Sequence, residues 1–189
     1  MSNAISALPG VIADGDVRVT EMGLVGMITL KADLSAAATK KAVKSATGLD
    51  LPDARKMSGG DLAKSVAWMA PDELLILCPH GEAEAMVGRL TKELGKAHHL
   101  AVNVSDARAV FALTGAAGAV RDTLAKLTPA DMAALPTAEM RRTRLAQVAG
   151  AICLPEEGRA DVICFRSVAG YMFDLLRSAA KPGAEVGFH

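Results

Sequence analysis

Residues able to do chemistry are few and scattered in this 189-residue chain. Asp106, at the kink between two apolar runs, is the acid placed to line a cleft; an Asx hydrogen bond that stabilises the turn is the plainer role for it. Its neighbour Ser105 has no histidine nearby and no G-x-S-x-G elbow occurs, which excludes the usual serine-nucleophile arrangement. Glu156 and Glu157 are adjacent carboxylates, but they fall at a hairpin tip, where solvated charges belong. Cys78 with His80, and His98 with His99, are close pairs that lack the third and fourth ligands a zinc site requires. Gly115-Ala116-Ala117-Gly118 lies between a strand and a helix, yet it has neither the dinucleotide spacing nor a P-loop lysine. Helix capping and close packing account for those glycines. No catalytic or metal-binding set is therefore expected, and Asp106 is the single cofactor-site candidate.

Candidate contact residues stand out more clearly. Arg141-Arg142-Thr143-Arg144 is the densest basic cluster, either a solvated strand entrance or an ion-pair surface for an acidic partner. Trp68, Tyr171 and Phe173 are scarce large side chains. Tyr171 shares an apolar helical stripe and is expected in the core. Phe173 falls off that stripe and is a candidate partner anchor.

Period and punctuation define the elements that hold these residues. Residues 1–15 form an N-terminal segment punctuated by Pro9-Gly10 and Asp14-Gly15. Strands are expected at 16–20 and 24–30, then a helix capped by Ser35 and ended at Gly48. Residues 51–60 read as a surface loop. A hairpin follows at 66–69 and 74–78, then a helix with Ala83, Met86, Val87, Leu90 and Leu94 on one face. The order repeats about 85 residues later: strands from Leu100 and Ala107, a helix capped by Thr114, a hairpin over 145–154 and 161–165, and a helix capped by Ser167. The fold class is α+β, two ferredoxin-like βαββα halves joined in one body, over 16–98 and 99–182, with a tail at 183–189.

Composition removes other classes. Formal net charge is zero, so no electrostatic footprint for nucleic acid exists, and aromatics at 3% leave few stacking platforms. No apolar run reaches the roughly 20 residues needed to span a bilayer, and the N-terminus has no signal-peptide pattern. Cys78, Cys153 and Cys164 lie in apolar strands and are expected as thiols in a reducing cytoplasm; the last two flank one hairpin and are candidates for cross-strand neighbours.

The segments VGMITLKADL, GLDLP, VAWMAPDELLILCP, VSDARAVFALTG, TRLAQVAGAICLP and FRSVAGYMFDLL, in that order, resemble the gamma subunit family of heterotetrameric sarcosine oxidase. The likeness runs from about Val25 to Ala180. More distantly, through VSDARAVFALTG, the chain is similar to the folate-dependent aminomethyltransferases.

The resemblance implies an aminomethyltransferase-like fold without the C-terminal barrel, and a non-catalytic accessory subunit partnered by alpha, beta and delta subunits. It implies a complex that demethylates sarcosine to glycine and passes the one-carbon unit to tetrahydrofolate. FAD, FMN and NAD would sit on the alpha and beta subunits and zinc on delta, with no cofactor in this chain. No folate-binding residue carries over, because the chain lacks the barrel that closes the folate pocket. Two other readings remain: a stand-alone folate- or one-carbon-binding protein, and a homo-oligomeric ligand-binding module.

Overall fold

A computed structural model describes residues 4–184. Residues 1–3 and 185–189, which include the start of the N-terminal segment and most of the expected tail, lie outside the described residues. In chain order the elements are β1 (Ile12–Ala13), β2 (Val17–Glu21), β3 (Val25–Ala32), α1 (Ala37–Thr47), β4 (Met57–Asp61), β5 (Lys64–Ala70), β6 (Glu73–Pro79) and α2 (Ala83–Leu94). They continue with β7 (His99–Asn103), β8 (Arg108–Gly115), α3 (Ala117–Ala125), β9 (Met140–Leu145), β10 (Val148–Glu156), β11 (Arg159–Phe165) and α4 (Ala169–Ala179). The protein is mixed α+β, with two antiparallel sheets and four helices among the described residues.

The first sheet has the order β4-β5-β6-β3-β7 and belongs to a compact unit of residues 25–105. Its core lies between the sheet and α1 with α2, where Ile28, Leu30, Val66, Leu74, Ile76 and Leu90 are fully buried. The second sheet has the order β1-β2-β8-β11-β10-β9, in a unit of residues 1–24 and 106–189. Val19, Phe111, Leu113, Val162, Met172 and Leu176 centre its core, under α3 and α4. In both sheets alternate residues on the other face are buried too, Met27, Leu77 and Ala67 in one, Val110, Cys153 and Ile163 in the other. That burial explains why the central strands read as continuous apolar runs rather than alternating ones.

The two units differ from the expected halves in one respect. β7, expected to open the second half, pairs with β3 in the first sheet, Leu30 opposite Ala101. β2, expected to open the first half, pairs with β8 in the second sheet, Val19 opposite Leu113. Each sheet thus takes its fourth ferredoxin-like strand from the segment that opens the other repeat. A βαββα unit leaves an apolar strand edge beside its first strand, and a neighbouring strand is the usual cover for such an edge.

Other corrections are local. All but the last residue of β4 lies inside the stretch expected to be loop: Ser58-Gly59-Gly60 has no strand propensity of its own and is held by pairing to β5, Ser58 opposite Val66. β9 turns directly into β10 through Ala146, at φ 47°, adding a hairpin the basic cluster had hidden. None of Ser35, Thr114 and Ser167 caps a helix with its side chain: α1 starts from Ala36, α3 from Ala116, and α4 follows a 3₁₀ turn at Arg166–Val168. Ser35 instead donates from its backbone N and Oγ to Asp33 Oδ1, at 2.9 and 2.6 Å, so the carboxylate organises the turn before α1. The C-terminal signals hold, with Gly48 at φ 76° ending α1 and Gly95 at φ 54° ending α2. No helix among the described residues is long and apolar enough to cross a membrane.

Candidate functional site

The basic cluster forms strand β9, the outermost strand of its sheet. Strand alternation separates its arginines. Arg142 and Arg144, opposite Ala151 and Ala149, are exposed. Arg141 and Thr143 occupy the opposite face. Arg141 donates from Nη2 to the buried carboxylate of Glu139, while its Nε is buried with no hydrogen-bond partner. Thr143 Oγ1 meets Thr128 Oγ1 at 2.8 Å. The cluster is therefore half structural anchor and half a pair of exposed guanidinia, a distinction the run of charges in the sequence could not show.

The two aromatic residues of α4 exchange their expected places. The buried stripe is Ala169, Met172, Leu176 and Ala179, steps of three and four residues that leave Tyr171 44% exposed. Phe173 is half-buried against Phe111, with the Arg177 guanidinium 5.8 Å from its ring centre. The apolar face expected from the sequence, Val168, Tyr171, Met172, Leu175, Leu176 and Ala179, is wider than the buried one: Met172, Leu176 and Ala179 lie in it, while Tyr171 and Leu175 fall at its margin.

Asp106 sits exposed in the 3₁₀ turn Ser105–Ala107. The residues that organise this turn are its neighbours. Asn103 Oδ1 accepts from the Ser105 N and Oγ at 3.0 and 2.5 Å, and Ser105 Oγ in turn accepts from the Met27 N at 2.9 Å. The Asn-x-Ser spacing immediately before Asp106 is the sequence signal for this turn.

In the unit of residues 25–105, a cavity of about 270 Å³ opens between α1 and α2. Cys78, Met86 and Leu77 line it, with Lys64, Glu82 and Arg89 around them. Burial and the nearby Glu82 raise the Cys78 thiol above its ordinary value, partly opposed by Arg89. A protonated thiol is not a nucleophile. Cys153 and Cys164 are pushed up to about 12 and about 11, in both cases chiefly by burial. They are not cross-strand neighbours: Cys153 faces Asp161 and Cys164 faces Gly150 and Ala109, on opposite sides of the sheet. No group of three or more His, Cys, Asp or Glu converges among the described residues.

The glycine segment before α3 does not fit a phosphate. A Cβ on Gly115 would meet Asp16 O at 3.0 Å, and one on Gly158 would meet Gly115 O at 2.7 Å, so these glycines let backbones approach each other. Gly118 has open space around it, which close packing does not explain.

Comparison with known proteins follows the same lines. A search of curated proteins finds no match. Among solved structures, the chain is similar to heterotetrameric sarcosine oxidase from Corynebacterium sp. U-96 in complex with pyrrole 2-carboxylate, at 24% identity and TM-score 0.79 over 89% of this chain and 87% of that one. It is also similar to glycine cleavage system aminomethyltransferase T from Bartonella henselae, at 15% identity and TM-score 0.60, covering 84% of this chain but only 45% of that one. The ligand-free regulatory subunit of aspartate kinase from Thermus thermophilus shares the fold more loosely, at 12% identity and TM-score 0.51 over 92% and 98% of the two chains. The sarcosine oxidase, gamma subunit family is matched over residues 31–182, and the chain belongs to that family.

Proposed function

We propose that this chain is a non-catalytic structural subunit of a cytoplasmic sarcosine-oxidising complex, assembled with alpha, beta and delta subunits. The complex demethylates sarcosine to glycine and delivers the one-carbon unit to tetrahydrofolate. FAD, FMN, NAD and tetrahydrofolate are held by the other subunits. The observation that carries this reading is the family match over residues 31–182.

Co-expression of the tagged chain with the three other subunits tests it. A yellow, sarcosine-oxidising complex should co-purify, and assembly or activity should fall when this chain is omitted. Full activity of the other three subunits alone would sink the structural role. Tight tetrahydrofolate binding by the isolated chain would favour a folate-binding protein instead.

A further inference from the structure

The two sheets end in four edge strands, and three of them are built to resist pairing. β1 is only two residues long. β4 contains Gly59 and Gly60, slips register between Gly59 and Asp61, and ends on that charge. β9 carries three arginines. Short length, bulges and edge charges are the devices that keep sheets from adding foreign strands.

β7 has none of them. Its five residues, His-Leu-Ala-Val-Asn, include no Lys, Arg, Asp, Glu, Pro or Gly, and its pairing to β3 runs without a register shift. Leu100 and Val102 project from one face and are 53% and 39% exposed. The Val104 N donates to Met27 O at 2.8 Å, so by alternation the amides of Val102 and Leu100 also point toward β3. The amides of His99, Ala101 and Asn103 therefore point to the open edge. The segment leading into the strand is basic, although exposed Asp33 follows Ala32, the β3 partner of His99, and Glu84 accepts from Asn103 Nδ2 at 2.7 Å at the far end. No acidic residue occurs from Leu94 to Val104, while Lys96 and His98 are exposed just before the strand.

We propose that β7 receives an extended segment of another subunit of the complex as an added antiparallel or parallel strand. That segment is apolar at alternate positions, to cover Leu100 and Val102, and acidic where it meets Lys96 and His98. Main-chain hydrogen bonds supply affinity in this mode and the alternate side chains supply specificity. The inference rests on the reading of the chain as a subunit and names the surface used.

The test is co-purification of the four-subunit complex with variants of the full chain. Leu100→Lys with Val102→Lys charges the exposed face. Ala101→Pro removes an outward amide and leaves the bonds to β3 in place, a position where edge strands tolerate proline. Each should lower recovery of the other subunits about tenfold or more, corresponding to about 1.4 kcal/mol, with the melting temperature of the isolated chain unchanged. Lys96→Glu should weaken recovery severalfold and make it less salt-sensitive. Wild-type recovery with both strand variants folded would overturn the proposal. So would an isolated chain that dimerises and becomes monomeric in the Lys variant, since the occupant would then be a second copy. If the wild-type chain itself recovers no other subunit, the subunit reading falls first and this surface with it.

Discussion

The rings of Phe173 and Phe111 lie 6.1 Å apart, centroid to centroid, with their planes inclined at 34°. This contact ties α4 to the central strand β8. Phe173→Ala should cost about 2 kcal/mol, below the full range for a buried Phe because the ring is half-exposed. Tyr171→Ala should change stability by less than about 0.5 kcal/mol. Urea unfolding of the two variants checks the contrast; equal effects would contradict the placement of the stripe.

Arg121 closes the connector between α3 and β9. Its Nη1 donates to Leu135 O at 2.9 Å and to Met132 O, and Nη2 donates to Glu157 Oε1 at 2.8 Å. Met132 and Leu135 are themselves buried, so this link holds two core residues in place. Arg121→Met should cost about 2 kcal/mol, the range for hydrogen bonds from a charged donor. Faster proteolysis within residues 126–139 would accompany the loss.

The same pair has a pH signature. Hydrogen bonding to Arg121 and its charge hold the Glu157 carboxyl below its ordinary value of 4.5. A depressed carboxyl contributes stability that is present above the unfolded-state value and is lost as pH falls through the folded one. The stability gap between wild type and Glu157→Gln should therefore be constant near neutrality and close as pH falls below about 4.5. A gap that widened on acidification would reverse the assignment.

Burial disfavours the thiolate forms of Cys153 and Cys164, which predicts resistance to alkylation. With the Cys153 thiol raised to about 12 and Cys164 to about 11, neither forms thiolate at pH 8 in the folded protein. Iodoacetamide should modify them only after denaturation. Because the unfolded thiols ionise near 9, stability should also decline as pH rises from 9 toward 12. Rapid native-state labelling of Cys153 would disprove its burial.

Gly26 has no room for a side chain. A Cβ there would lie 2.8 Å from Cys78 O, Cys78 Sγ and Pro79 O. Gly26→Ala should cost about 2 kcal/mol, and Cys78→Ala should not rescue it, since two of the three contacts are backbone. Additive or rescued stability in the double variant decides the point.

Much of this architecture was legible because central strands buried on both faces, such as β3, β6, β8 and β11, announce themselves as apolar runs. Helix ends at Gly48 and Gly95 were legible because only a residue without Cβ adopts those angles cheaply. What escaped was decided by pairing rather than propensity. β4 is strand because β5 lies beside it, and β2 and β7 change sheets because a strand pattern carries no record of its neighbour. Among the candidate residues, the split of Arg141 from Arg142 and Arg144 follows from strand alternation once β9 is recognised. The roles of Asn103 and Ser105 depended on Met27, 78 positions from Ser105 in the chain, which no local pattern could reveal.

Synthesis of the chain meets these sheets in an uneven order. Residues 25–105 are one uninterrupted stretch, so that sheet can close while residues 106–189 are still unmade. β2 leaves the ribosome before any of it, yet its only long neighbour among the described residues is β8, whose residues Arg108–Gly115 arrive much later. Distant pairings form slowly because the loop between them must be closed first. Pulse proteolysis of stalled nascent chains should cut at Val17–Glu21 well after residues 25–105 have become resistant. The first long strand to be made waits for a partner that follows the whole of the other sheet.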